Sequence, residues 1–276
     1  MIFDPKPTKY PFPKFTDEHY LVVKKNNGLV FDEHYPFVDK SKGFLFKQFL
    51  TRILLYVIVF PVSYIYLGLR IKGRKNLKIH KNELKDGFVN VSNHIHLWDY
   101  IALMNALRPR RTNVLVWAPN IRGENGKLMR MVGGIPLPEN TFEATKAFKD
   151  AVGNLLDNKG ILQIYGEGSM WEYYQPIRPF KTGPAKFACM CDKPLLPCAF
   201  SYRKPSWFRK HIMRQEAAIT LTIGAPLHAD KTLSKRDQEL DLTKRAHEMV
   251  CYLAGIDPSE NIYPPIFSKN EKVEYY

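Results

Sequence analysis

After residue 73 the chain alternates between short apolar runs and longer segments with helical spacing. The apolar runs are rich in Val, Ile and Leu and predict buried strands at residues 88–91, 113–117, 135–137, 161–165, 195–200 and 217–223. The segments between them predict helices at residues 97–107, 127–132, 141–156, 184–191 and 231–254. This alternation predicts an α/β fold, with a layered, mixed and largely parallel sheet flanked by helices. In such sheets the functional side chains lie at the strand ends.

The first of these predicted strands ends in a polar stretch that contains a histidine and an aspartate five residues apart, His94 and Asp99. On one helix the two side chains would point about 140° apart, so they meet only if His94 precedes the helix and Asp99 begins it. Asp99 would then hold one imidazole nitrogen and leave the other as a base for a hydroxyl proton. The simpler interpretation is a polar strand end followed by a helix cap.

The pattern Asn-His-x4-Asp at residues 93–99 resembles the first motif of the glycerolipid acyltransferases, the lysophosphatidic acid acyltransferase family. Three further motifs have counterparts in the same order, at residues 133–139, 165–170 and 196–200, and a Phe-Lys-x-Gly stretch begins at Phe180. The resemblance covers roughly residues 70–225. It implies catalysis by His94 and Asp99, and an acceptor site that includes Asn93, Glu167, Gly168 and Ser169.

Two positions depart from the motifs of that family. Glu139 stands where the second motif has an arginine that grips the acceptor's phosphate, and Met170 replaces the arginine of the third motif. A carboxylate cannot bind phosphate in the way that a guanidinium does. Four cations near these motifs are either a source of replacement charge or solvated surface residues: Lys127, Arg130, Arg178 and Lys181. The acceptor is either a lysophospholipid similar to 1-acylglycerol-3-phosphate or one with another headgroup.

The charge of the chain favours an anionic partner. Its 276 residues carry 41 Lys and Arg against 27 Asp and Glu, a formal net charge of +14. A membrane phospholipid surface suits this balance better than nucleic acid, because no zinc finger, aromatic-basic motif or glycine-rich phosphate loop is recognisable. A solvated basic surface without a specific partner is the alternative. The four cysteines are too few and too clustered for a disulfide framework, which favours reduced thiols in the cytosol.

The segment from residue 44 to 69 is strongly apolar, and its last 17 residues carry no charge. As a helix these would span about 26 Å, slightly short of a bilayer core, and Pro61 is expected to kink or end the helix. Basic residues on both sides favour a broken helical pair lying in one leaflet, with a core helix or a single span as alternatives. The predicted parts are an N-terminal extension (1–43), a membrane-associating helical segment (44–72), a catalytic domain (73–256) and a tail (257–276).

The chain is therefore predicted to be a membrane-associated acyltransferase that faces the cytoplasm. Its substrates would be a lysophospholipid acceptor and acyl-CoA or acyl-carrier protein as donor, with no cofactor, no metal and no nucleic-acid partner. No signal peptide is recognisable at the N-terminus. One alternative is a non-catalytic relative that binds lipid. Another is a metal-dependent hydrolase that uses His94, His96 and Asp99, with remote ligands among His80, His211 and His228.

Overall fold

The computed structural model describes residues 26–260 together with Phe3, Pro5, Pro13, Glu18, His19 and Val23. Within this part of the chain, seven strands form one sheet: β1 (Arg70–Lys72), β2 (Phe88–Ser92), β3 (Thr112–Val116), β4 (Gly134–Pro136), β5 (Ile161–Tyr165), β6 (Leu195–Arg203) and β7 (Ala218–Ile223). The order across the sheet is β1-β7-β6-β2-β5-β3-β4. All neighbours are parallel except β6 and β7, which run antiparallel. The predicted mixed, largely parallel sheet is confirmed.

Helices cover both faces of this sheet. They are α1 (Lys42–Leu54), α2 (Phe60–Tyr66), α3 (Arg74–Ile79), α4 (Lys81–Leu84), α5 (Asp99–Leu107), α6 (Ala118–Arg122), α7 (Gly126–Met131), α8 (Phe142–Asp157), α9 (Gly183–Met190), α10 (Trp207–His211) and α11 (Lys235–Ala254). The central strand β2 is fully buried: Val89 and Val91 face a core shared with α8, α9 and α11, whereas Phe88 faces a core shared with α5. Burial on both faces explains its continuous apolar sequence.

Strand β1 is the strand that the sequence pattern did not predict. It contains one apolar residue, Ile71, between two basic ones, so no apolar run marks it. It pairs in parallel with β7 at the edge of the sheet. Gly73 then turns the chain with a φ of 76°, and a Cβ at this position would collide with the Ile223 carbonyl. A glycine is required here because other residues rarely adopt this conformation and have no room for their side chain.

The N-terminal helix runs without a break from Lys42 to Tyr66, over 25 residues, and is long and apolar enough to cross a membrane. The expectation that Pro61 breaks it is wrong. A π turn, Leu55–Val59, precedes the proline, and the Phe60 N–H donates to the Leu55 carbonyl five residues back. The wider turn makes room for the proline ring, which would otherwise meet the carbonyl four residues before it.

One side of this helix packs along the domain from one edge of the sheet to the other. Near its middle Arg52 donates to the Pro109 carbonyl (2.9 Å), and at its end the Tyr66 ring lies 4.9 Å from that of Trp98. The opposite side is apolar and exposed, and includes Phe46, Phe49, Leu50, Ile53, Val57, Ile58 and Ile65. A helix with such an uncovered apolar side indicates association with a membrane.

The stretch before this helix is part of the core. Phe31 and Phe37 are fully buried against the α8 side of the sheet. Glu139 accepts a hydrogen bond from the Phe31 N–H (3.3 Å) and pairs with Arg122, whose guanidinium lies 4.8 Å from the centre of the Phe31 ring. Residues well before the predicted catalytic domain therefore help to hold it together.

Candidate active site

His94 and Asp99 meet at the carboxyl end of β2. His94 lies in the turn that leaves the strand, and Asp99 is the first residue of α5. The imidazole Nδ1 lies 3.0 Å from Asp99 Oδ2. The His94 side chain is 21% exposed, whereas that of Asp99 is completely buried. Because Asp99 accepts the Nδ1 proton, the lone pair is on Nε2, on the far side of the ring.

Asp99 also holds the backbone of the turn. Its Oδ2 accepts hydrogen bonds from the N–H groups of Ile95 (2.7 Å) and His96 (2.9 Å). Its position at the start of a helix, where the backbone N–H groups carry partial positive charge, favours a carboxylate. One side chain thus shapes the turn that contains His94 and orients its ring. The simpler interpretation, in which Asp99 is a helix cap, is wrong, because Trp98 is the residue at the cap position of α5 and, among the described residues, no side chain caps this helix.

The imidazole is also fixed by an aromatic neighbour. The ring of Tyr165, the last residue of β5, stacks on it with centroids 3.7 Å apart and planes 7° apart. The backbone of His94 is held from two sides, since its N–H donates to Glu167 Oε2 (2.8 Å) and its carbonyl accepts from the Trp171 N–H (3.2 Å). Burial, Asp99 and Tyr100 raise the pKa of Tyr165 well above its usual value. The phenol therefore stays neutral and adds no charge beside the imidazole.

A buried ion pair lies behind this stack. Glu167 accepts the Arg178 N–H (2.8 Å), and the two side chains approach to 3.4 Å with 3% and 1% of their surfaces exposed. The Arg178 guanidinium also donates to Ser169 Oγ (2.8 Å) and lies 4.3 Å from the centre of the Trp171 ring. Glu167, Ser169 and Arg178 thus form one network that reaches His94 through its backbone N–H.

The structure brings some of the other predicted residues to this site and takes others away from it. Gly168 is exposed and follows Glu167, which binds the His94 N–H. The Lys181 side chain lies across this glycine: a Cβ at Gly168 would be 3.0 Å from Lys181 Cε and 3.1 Å from Nζ. The Asn93 amide makes two hydrogen bonds with the Phe200 backbone (2.8 and 2.9 Å) and joins β2 to β6. Arg130 donates to the carbonyls of Pro36, Phe37 and Gly134, outside the His94 turn.

The two departures from the family motifs have internal roles. Glu139 pairs with Arg122 and anchors the stretch around Phe31, as described above. Met170 is buried, with 9% of its surface exposed. Neither position therefore offers a cation to a substrate. Of the cations considered as replacements, Arg178 and Lys181 lie next to the third motif in space as well as in sequence.

The other histidine of the turn, His96, is held in place by its neighbours. Its Nδ1 accepts the Trp98 N–H (3.1 Å), and its Nε2 lies 3.4 Å from Glu172 Oε1. Within residues 26–260 and the few described residues before them, no group of three or more His, Cys, Asp or Glu side chains is arranged to hold a metal ion. Of the remote ligands considered for a hydrolase, His80 and His228 instead contact the two carboxylate oxygens of Glu83, at 2.7 and 2.9 Å.

Sequence reasoning missed three contacts of the site. The stacking of Tyr165 on His94 and the hydrogen bond from Trp171 join residues that are more than 70 positions apart. The carbonyl of Glu18 accepts from Ser169 Oγ and Trp171 Nε1, both at 3.2 Å, so part of the N-terminal extension reaches the third motif. The one feature of the sequence that could have indicated a role for Tyr165 at the site is that an aromatic residue ends a predicted strand. Nothing in the local sequence signals the contact with Glu18.

Comparison with known proteins gives a family match and a likeness to solved structures, of which eight chains match. A family model described as Acyltransferase matches residues 69–201. No curated protein matches the chain. Among solved structures, the chain is similar to the crystal structure of the 1-acyl-sn-glycerophosphate (LPA) acyltransferase, PlsC, from Thermotoga maritima, with 16% identity and a TM-score of 0.47. That alignment covers 77% of this chain and 84% of the other. The residues matched by the family model include every member of the His94 network except Glu18.

Proposed function

We propose that this chain, whose residues 69–201 match the family model described as Acyltransferase, transfers a fatty acyl group from an acyl thioester to a hydroxyl group of a lysophospholipid. The donor would be acyl-CoA or acyl-carrier protein, and the acceptor a lipid similar to 1-acylglycerol-3-phosphate. The observation that carries this proposal is the 3.0 Å contact between His94 and Asp99 in a partly exposed turn at the end of a strand.

His94 is the general base in this proposal and Asp99 positions it. The Asp99 carboxylate sets the tautomer with the proton on Nδ1 and stabilises the imidazolium that forms during the reaction. The Tyr165 ring, 3.7 Å from the imidazole, restricts its rotation. Glu167 and Trp171 hold the backbone of His94. Because the imidazole is already held in position, little conformational entropy is lost when the transition state forms.

The proposed reaction is a direct transfer. His94 Nε2 takes the proton of the acceptor hydroxyl while its oxygen attacks the thioester carbonyl. The tetrahedral intermediate then expels the thiolate, and the imidazolium returns the proton to it, so that an ester and a free thiol leave the site. Hydrogen-bond donors are required for the oxyanion, and backbone N–H groups at the strand ends are the candidates.

The phosphate of the acceptor is proposed to lie near Lys181. The ammonium group of this residue lies across exposed Gly168, next to Glu167 and Ser169 of the third motif. A lysine binds phosphate as a point charge, whereas the arginine of the family motif would grip it with two parallel hydrogen bonds. Because the ammonium group of lysine does not require a fixed orientation of the phosphate, it would also accept a headgroup in which the phosphate carries a further substituent. The buried guanidinium of Arg178 is proposed to support the site from behind.

The enzyme is proposed to work at the cytoplasmic surface of a membrane. The N-terminal helix ends at Tyr66, whose ring is 4.9 Å from that of Trp98 in the turn between His94 and Asp99. The exposed apolar side of the helix and the catalytic turn are therefore neighbours. A helix that packs along the domain over its whole length favours an orientation in the plane of the membrane, with one side in the lipid.

The test is acyl transfer by protein in liposomes, with labelled acyl-CoA and acyl-carrier protein offered against a panel of lysolipids. Replacing His94 with alanine should lower turnover by about 10²–10⁴-fold, because general-base assistance is lost. The melting temperature should stay close to that of the wild type, since the imidazole is at the edge of the site. His34→Ala is the matched control, because it also removes an imidazole and its side chain is 84% exposed.

The outcomes of this experiment distinguish an acyltransferase from a non-catalytic protein that binds lipid. Product from one acceptor, lost in His94→Ala and kept in His34→Ala, supports the reaction and identifies the headgroup. A folded His94→Ala protein with the wild-type rate would rule out this mechanism. If the wild type binds liposomes but makes no product with any acceptor, the chain is a lipid-binding relative instead of an enzyme.

A further inference from the structure

A groove lined by cations runs between the N-terminal helix and the amino ends of β3 and β5. It contains a cavity of about 350 Å³, and a smaller one of about 50 Å³ continues it along the helix. The larger volume is within the range of ligand pockets, about 300–1,000 Å³. Six cations line the two cavities, which we call the cationic groove: Lys40, Arg52, Arg110, Arg111, Arg130 and Lys159.

The groove is separate from the site around His94. Arg110 and Arg111 directly precede β3, and Lys159 and Gly160 directly precede β5, so they lie where these strands begin. Tyr165, which stacks on His94, is where β5 ends. The five residues of β5 place the two sites about 16 Å apart. The groove is therefore not another part of the acyl-transfer site.

Carboxylates balance only part of the positive charge of the groove. Two acidic side chains are near: Asp39 lines the cavity, and Asp86 lies 3.6 Å from Lys159. The guanidinium groups of Arg52, Arg110 and Arg130 donate instead to backbone carbonyls, at 2.5–2.9 Å. Carbonyl partners fix the direction of a guanidinium but leave its charge in place. An anion that enters the groove would meet donors that are already oriented.

Burying several positively charged side chains close together costs free energy, and a bound anion would offset part of this cost. Burial is the main reason why the pKa values of Arg110 and Arg130 are lowered from the ordinary value for arginine. Both side chains still carry their charge at neutral pH. Asp86 and Asp39 counter this lowering of the pKa values only in part, so partial loss of hydration leaves a positive potential in the groove.

The surroundings of the groove favour a lipid over a free anion. Apolar side chains of the N-terminal helix, Phe44 and Leu45 at its start and Tyr56 and Phe60 further along, line the same two cavities. The opposite side of this helix is the exposed apolar surface described above. We propose that the cationic groove binds the phosphate of an anionic membrane phospholipid, whose acyl chains lie along the N-terminal helix. This lipid is distinct from the acceptor that reaches His94.

The first test is binding to phosphatidylcholine vesicles with and without phosphatidylglycerol, measured by sedimentation. Lys40→Ala/Arg111→Ala removes two exposed cations of the groove, neither of which belongs to the proposed catalytic site. At about 1 kcal/mol for each charge, the affinity for the anionic vesicles should fall at least tenfold. The matched control, Lys235→Ala/Lys244→Ala, removes two exposed cations from α11, which packs against β6, whereas the groove lies at β3 and β5, and should change the affinity less than twofold.

A second measurement separates a lipid site from a site for free phosphate. Short-chain phosphatidylglycerol, kept below its micelle concentration, should bind the wild type in calorimetry and should bind Lys40→Ala/Arg111→Ala much more weakly. Inorganic phosphate at the same concentration should not compete with it. Equal competition by inorganic phosphate would overturn the lipid assignment. Equal loss of vesicle binding in the α11 control, or equal wild-type binding to both kinds of vesicle, would overturn the site itself.

Discussion

At the scale of single residues, Asp99 combines a structural and a positioning role. Its Oδ2 accepts from His94 Nδ1 and from the N–H groups of Ile95 and His96. The same oxygen therefore fixes the turn and the ring that the turn carries. Two kinds of substitution separate these roles. The backbone N–H groups need only an acceptor oxygen, which can be neutral or charged, whereas an imidazolium is stabilised by a negative charge.

Asp99→Asn should keep most of the fold but lose most of the activity. The amide oxygen still accepts hydrogen bonds from the turn, but it no longer stabilises an imidazolium, and its NH₂ group favours the wrong tautomer of His94. We expect turnover to fall by about 10²–10⁴-fold with a small change in melting temperature. Steady-state kinetics and thermal unfolding measure both.

The control for this variant is Asp99→Ala, which also leaves two buried N–H groups without an acceptor. Each of these costs about 1–3 kcal/mol, so Asp99→Ala should be clearly less stable than Asp99→Asn. Equal stability of the two variants would contradict the structural role of Asp99. A wild-type rate in Asp99→Asn would contradict its positioning role.

Arg178 is expected to be required for stability because it is the partner of a buried carboxylate. Arg178→Ala leaves Glu167 charged and 3% exposed, and should lower the free energy of unfolding by about 3–5 kcal/mol, measured in urea. The double variant Glu167→Gln/Arg178→Met removes both charges and should recover part of this loss. If the double variant is less stable than Arg178→Ala, the unpaired charge is not the cause.

At the scale of elements, the N-terminal helix is distinguished by its two sides. One side is buried along the domain through Leu55, Phe60 and Ser63, and the other exposes large apolar side chains. The π turn before Pro61 lets one continuous helix carry both sides past the proline. Because it is continuous, the helix connects the cationic groove near its start with the turn that contains His94 at its end.

Val57→Asp should detach the protein from membranes without unfolding it. Val57 is 68% exposed near the middle of the helix, so its replacement costs little in the isolated protein. An aspartate there has to enter the lipid together with the helix, and vesicle affinity should fall at least tenfold. Val57→Ala is the control and should bind nearly as well as the wild type. Unchanged binding by Val57→Asp would place this side of the helix outside the membrane.

At the scale of the whole molecule, the core extends beyond the part that resembles known acyltransferases. The family model begins at residue 69, whereas Phe31 and Phe37 fill the core on the α8 side of the sheet. The domain boundaries predicted from the sequence put both residues in an N-terminal extension. Burial of these rings ties the extension to the domain.

Phe31→Ala should therefore destabilise the whole protein by about 3–5 kcal/mol, as expected for the loss of a fully buried aromatic ring. Urea unfolding followed by circular dichroism measures this. Its neighbour Val30 is 57% exposed, and Val30→Ala should change the stability by less than about 0.5 kcal/mol. Similar small effects for both substitutions would mean that the stretch before the helix is not part of the cooperative unit.

The sequence contains the information for features that depend on neighbours along the chain. Apolar runs alternating with helical spacing predicted the mixed, largely parallel sheet, and the family motifs predicted the acyltransferase family. The spacing of His94 and Asp99 allowed their contact only in a turn followed by a helix, which is the observed arrangement. These features are predictable because a helix or strand that is buried on one or both faces has apolar residues at regular intervals along its sequence.

The tertiary structure alone decided which distant residues meet. Arg130 and Arg178 were equal candidates in the sequence, but one binds carbonyls outside the catalytic turn and the other pairs with Glu167. The stacking of Tyr165 on His94, the burial of Phe31 and the cationic groove likewise join segments far apart in the chain. Local patterns report how buried a residue is. They do not report its partner, because the partner depends on the order and direction in which the strands assemble.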